Sequence, residues 1–123
     1  MNNIVSVFIG GGLGSLSRYG IASSVGLLTA KLKLNFPLAT FTSNLLSCTI
    51  LAVTVAVISS KADVSPGWKV LIITGFCGGF STFSAFSYET IDLMRSGYLL
   101  TALANILISI SVCFSLIYFI TKN

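Results

Sequence analysis

The chain has 123 residues, 54% of them hydrophobic and only 8% charged, with a formal net charge of +4 and no His. A water-soluble domain carries roughly a quarter charged residues, so seven basic and three acidic side chains cannot coat a globule of this size, and a soluble enzyme is excluded. With a mean hydropathy of +0.97 and about 20 apolar residues needed per membrane span, the length accommodates four spans with short loops and no soluble domain.

The first apolar stretch covers residues 4–28. It lacks the basic start and the cleavage site of a signal peptide, so it is expected to stay in the mature protein. Its small residues, Gly10-Gly11-Gly12-Leu13-Gly14-Ser15, contain a GxxxG spacing that lets helix backbones approach closely. Helix packing accounts for these glycines, because a phosphate-binding loop would need a preceding strand. Arg18 lies about 21 Å along the helix from Ile4 at 1.5 Å per residue, near the far interface. There it can snorkel, and at the mouth of a vestibule it would also concentrate anions.

A polar break at residues 31–35 precedes Pro37, which suits the first turn of a second helix over residues 36–58. Thr40, Ser43, Asn44 and Ser47 fall on one face of it, spaced i, i+3, i+4 and i+7. A hydroxyl can bond back to its own helix. Asn44, with two donors and an acceptor, either joins helices or lines a pore. Residues 59–67 form a loop by their Ser, Pro and Gly content.

The third stretch covers residues 68–94, opening on an interfacial Trp68 and closed by Arg95-Ser96-Gly97. Its centre reads GFCGGFSTFSAFSYE from Gly75 to Glu89. Paired glycines followed by Ser and Thr weaken a helix and predict a break near the middle of the span. Non-helical backbone survives at this depth only inside protein or beside a polar cavity, where a cation can satisfy the freed carbonyls. Phe83 and Phe86 share a face directly after the break, and Glu89 is the one carboxylate within the apolar zone. The fourth stretch, residues 98–120, repeats Thr101, Asn105, Ser109 and Cys113 every four residues as a second polar seam. Cys48, Cys77 and Cys113 stand far apart in sequence without a CxxC pair and read as packing residues.

With four spans, Lys61, Lys69 and Lys122 fall on one side, and Lys31, Lys33 and Arg95 on the other. Three against three fixes no orientation under the positive-inside rule, which favours insertion both ways and an antiparallel dimer. The charges are scattered at span ends rather than clustered, which speaks for membrane flanking and against a nucleic-acid partner.

Residues 75–89 closely resemble the third-helix signature of the Fluc (CrcB) fluoride channels, approximately G-F-x-G-G-[FL]-T-T-F-S-T-F-x-x-E. Gly11-Gly12-Leu13-Gly14 leading to Arg18-Tyr19 is similar to that family's glycine-rich start, and Thr40 to Asn44 to its T-x-x-x-N element. The resemblance spans the whole chain. It implies an all-α membrane protein of four transmembrane helices, the third broken, assembled as an antiparallel dual-topology homodimer in the cell inner (plasma) membrane. By this resemblance Phe83 and Phe86 line a fluoride pathway and Asn44 supplies amide donors to the ion. Thr40 and Ser109 join a hydroxyl track, while the main-chain carbonyls of Gly78 and Ser81 hold a structural Na⁺ that is not transported. Glu89 matches the terminal glutamate of the signature and carries no assigned role. The chain departs from the family at Ser81, where Thr is common, at Ala85, at Ser47 and at Cys113, where another hydroxyl is expected. The implied function is passive, fluoride-selective export. The alternative is a small multidrug-type, proton-coupled cation exporter, which would need a central membrane carboxylate.

Overall fold

The computed structural model describes residues 2–61 and 63–122; Ala62, part of the expected second loop, lies outside the described residues with Met1 and Asn123. Every regular element among the described residues is helical. Helix α1 (Asn3–Leu32) opens on Asn2, whose side chain accepts from the Ile4 N–H at 3.0 Å. It ends on a left-handed Lys33, where the N–H groups of Lys33 and Leu34 turn back to the carbonyls of Ala30 and Thr29. Helix α2 (Leu38–Ser60) starts directly after Pro37.

The third span is composite. Its first half, α3 (residues 66–80), is α-helical over Pro66–Lys69, winds as a π-helix over Val70–Cys77 and returns to α over Gly78–Phe80. Ser81 and Thr82 are extended, and α4 (Phe83–Arg95) completes the span. Gly97, with φ of 87°, then closes α4: its N–H bonds to the Met94 carbonyl and that of Tyr98 to Leu93. Helix α5 (Leu99–Thr121) returns across. The span Pro66–Arg95 and the helices α1, α2 and α5 are all long and apolar enough to cross a membrane.

The predicted break is present near the middle of the span, directly before Phe83. Gly78 and Gly79 are helical, and the backbone leaves the helix two residues later. Of the pair, Gly79 serves close packing. α1 runs alongside α3 in its most extensive contact, with Ser6, Gly10 and Gly14 buried on one face. A Cβ on Gly10 would collide with the Leu71 carbonyl, one on Gly14 with that of Phe76, and one on Gly79 with that of Gly11. Backbones this close gain dispersion and Cα–H···O contacts that larger residues would forbid.

Inside and outside are inverted relative to a soluble protein. The largest fully buried side chains are Asn105, Ser6 and Ser43, while Phe8, Leu100, Phe83 and many other large apolar residues lie exposed. Lipid is as apolar as leucine, so what the bundle must hide is its polar atoms.

Candidate functional site

The site is built around the two extended residues, Ser81 and Thr82. Breaking the helix frees backbone groups, and side chains from α2 and from the break itself claim them. Asn44 on α2 pairs with Thr82 through both ends of its amide: its Oδ1 accepts from the Thr82 N–H at 2.7 Å, and its Nδ2 donates to the Thr82 carbonyl at 3.2 Å. The Thr82 hydroxyl accepts from the Ala85 N–H at 3.2 Å and so caps α4. Two carbonyls thereby lose the donors that an unbroken helix would give them. Gly78 would receive Thr82's N–H, now held by Asn44, and Ser81 would receive Ala85's, now held by Thr82. These are the two residues whose carbonyls are expected to face a cation.

The opposite polarity gathers one step along. Beyond Thr82, the first turn of α4 directs its N–H groups toward the break, where a helix N-terminus favours negative charge. Asn44 keeps its second amide hydrogen free of the Thr82 contact. Phe83 and Phe86 lie beside them with ring centroids 5.9 Å apart. Asn44, Ser81, Thr82, Phe83, Phe86 and Ser109 all line one open groove of about 360 Å³. Aromatic ring edges are the positive part of the ring quadrupole, so this groove offers an anion amide and ring-edge hydrogens without a formal charge. Phe83 is 80% exposed on the single chain. The break therefore opens on the outside of the chain.

The other expected residues divide. Arg18 does not snorkel: it is half-buried, and its Nε donates to the Gly79 carbonyl at 3.2 Å. The close contact of α1 and α3 at Gly14 brings Arg18, one turn on, to the end of α3, where a cation complements the helix C-terminus. Thr40 and Glu89 meet, the hydroxyl donating to Glu89 Oε1 at 2.8 Å. Glu89 Oε2 is buried without a hydrogen-bond partner among the described residues. Neither residue lines the groove of Asn44 and the phenylalanines. Ser109 does, but its hydroxyl donates away from the groove, to Asn105 Oδ1 at 3.3 Å. Asn105 Nδ2 donates in turn to Thr90 at 2.9 Å, and Thr90 to the Phe86 carbonyl at 2.7 Å.

This relay from α5 to α4 anchors the Phe86 turn, and Thr90 stood apart from both polar seams in the sequence. A lone hydroxyl one turn after an aromatic carries no signal until its partner is known. Thr82 escaped notice in the same way. Its hydroxyl caps a helix. Ser47 and Ser81 both donate to the Cys77 carbonyl, at 3.0 and 2.8 Å, and so fasten α2 to the last turn of α3. The loss of a glycine at position 47 is thus compensated by a hydrogen bond. The cysteines, far apart in sequence, converge: Cys48 and Cys113 line the same groove, while Cys48 and Cys77 line its neighbour.

Residues 5–120 match the family described as CrcB-like protein, Camphor Resistance (CrcB). The chain belongs to the CrcB-like family. It is 40% identical over 111 residues to a protein of Serratia proteamaculans named fluoride-specific ion channel FluC, covering 90% of this chain and 84% of that one. A protein of the same name from Pyrococcus horikoshii is 41% identical over 115 residues, covering 94% and 89%. One from Escherichia coli K12 is 39% identical over 107 residues, covering 87% and 81%. These relatives are named as ion channels, a non-enzymatic class, and with its four spans this CrcB-like chain is a multi-pass protein of the cell membrane.

Proposed function

We propose that this chain forms a fluoride-selective channel through which F⁻ leaves the cell passively, down its electrochemical gradient. One observation carries the reading: the groove at the break, where the N-terminus of α4, the amide of Asn44 and the rings of Phe83 and Phe86 converge in the middle of a span. Fluoride is small and strongly hydrated, so a selective path must replace its water with donors, yet hold the ion weakly enough to release it. Uncharged donors meet both demands. The family's relatives named as fluoride-specific channels support the choice of ion. From an acidic medium fluoride enters the cell as HF, dissociates within, and departs as F⁻ through such a path.

The working unit is an antiparallel dual-topology homodimer. The even split of basic residues supports it, and so does the exposure of Gly78, Phe83 and the break on one subunit's surface. Freed backbone cannot face lipid, and a second copy would cover it. Gly78 and Ser81 fit a hard cation, because their carbonyls have lost their helical donors and oxygen is what Na⁺ prefers. Bound there, Na⁺ would supply positive charge that holds the two chains together. Gly78 and Ser81 would contribute their main-chain oxygens, and Asn44 and Thr82 keep those oxygens free of competing N–H groups.

The buried, unpartnered oxygen of Glu89 favours one rival, the proton-coupled cation exporter. Glu89→Gln separates the two. An exporter loses transport because its proton carrier is gone; a passive pore keeps fluoride flux. In cells, a bacterium lacking its own fluoride exporter and expressing this chain grows in fluoride at acid pH. Failure to rescue growth, with the protein present in the membrane, contradicts the proposal.

A further inference from the structure

Three thiols that are remote in sequence come together at mid-span. Cys48 on α2 shares one groove with Cys113 of α5 and the neighbouring one with Cys77 of α3. All three are free. Their surroundings differ. Cys77 is buried at the last turn of the π-helix, with its carbonyl held by Ser47 and Ser81. Cys48 and Cys113 instead both line the groove that holds Asn44, Phe83, Phe86 and Ser109. Two sulfurs lining one groove suit a particular guest. Soft cations choose thiolate ligands over water and oxygen, and a linear, two-coordinate ion such as Hg²⁺, Ag⁺ or Cu⁺ needs only two.

We propose that Cys48 and Cys113 form a two-sulfur site for soft, two-coordinate metal cations, and that its occupant obstructs the groove. With Hg²⁺, each S–H bond breaks and its proton passes to water or buffer, while two S–Hg bonds form; mercury stays divalent and the complex is neutral. No oxidant is required. The bound metal sits among Asn44, Phe83 and Phe86, where it fills space and replaces the polar edge of the path. Obstruction of fluoride flux rests on the reading of this groove as the fluoride path, whereas metal binding does not.

The experiment uses HgCl₂ with the purified full chain in liposomes, in the presence of a competing monothiol. Free thiols are counted after denaturation, and fluoride release is measured on the same samples. Wild type and Cys77→Ser are expected to lose two thiols per bound mercury and to show blocked flux that an added dithiol restores. Cys48→Ser and Cys113→Ser are each expected to bind about a hundredfold more weakly, because one anchor no longer tethers the other, and to escape block. Each variant is compared with itself before mercury, and Cys48→Ala and Cys113→Ala replace any serine variant that does not extract as folded protein. Equal protection in Cys48→Ser or Cys113→Ser, or loss of the site in Cys77→Ser, overturns the assignment. Two thiols protected with flux unaltered overturns the obstruction but leaves the metal site standing. No fluoride flux before mercury is added counts against the channel itself.

Discussion

Asn44 shows how one side chain can set a local structure and still keep something for a ligand. Its amide replaces the helical partners of Thr82 in both directions, at 2.7 and 3.2 Å, and retains a further hydrogen. Asn44→Ala removes both bonds and leaves the N–H and carbonyl of Thr82 unmatched. At roughly 1 kcal/mol per bond, the variant should lose about 2 kcal/mol of stability, read as a lower midpoint in detergent unfolding, together with fluoride flux. An unchanged midpoint would mean that the amide does not hold the break. The value of Asn44 was legible in the sequence because an amide in an apolar helix needs partners; which partners it takes was not. Ser109 and Thr40 show the limit more sharply. Their positions on polar faces were legible, but their hydroxyl protons are directed to Asn105, one turn before Ser109, and to Glu89, 49 residues from Thr40, and which partner a hydroxyl takes is decided by the packing around it.

Among the elements, the glycines of α1 illustrate two different roles for one residue type. A Cβ at Gly14 would meet the Phe76 carbonyl and the Phe80 N–H group's nitrogen, whereas one at Gly12 meets nothing within 4 Å. Gly14→Ala should therefore force α1 away from α3 and reduce folded yield severely, while Gly12→Ala should behave as wild type in size-exclusion profile and unfolding midpoint. Equal behaviour of the two would contradict the close packing of α1 and α3. Gly97→Ala places a Cβ in the left-handed region and should cost about 1 kcal/mol, again seen in the midpoint. Spans and turns were readable here because hydropathy and Gly97 are local signals. The π-helix over Val70–Cys77 was not, since it depends on how α3 settles against α1. The break was readable because weak helix formers ahead of Phe83 are a local signal, but the capture of Thr82 by Asn44 that fixes it was not, since Asn44 lies 38 residues away.

For the whole molecule, the exposed break and the even split of basic residues belong together. A chain that presents freed carbonyls and Phe83 on its outer surface needs a cover, and a chain without charge bias can supply its own inverted copy. A tag at the C-terminus should be accessible from both faces of the membrane in about equal shares; accessibility from one face alone would contradict dual insertion. Removing Na⁺ should weaken the dimer and its flux, and a sodium-free preparation that stays a fully active, stable dimer would remove the cation from the centre.

The most direct measurement is fluoride release from liposomes holding the purified chain, read with a fluoride electrode after valinomycin, with chloride followed in parallel. A channel built on the groove of Asn44, Phe83 and Phe86 predicts fast fluoride efflux with negligible chloride leak, and a loss of roughly two- to tenfold in Phe83→Ile, the scale of one aromatic contact. Absence of fluoride efflux from a demonstrably folded dimer would contradict it.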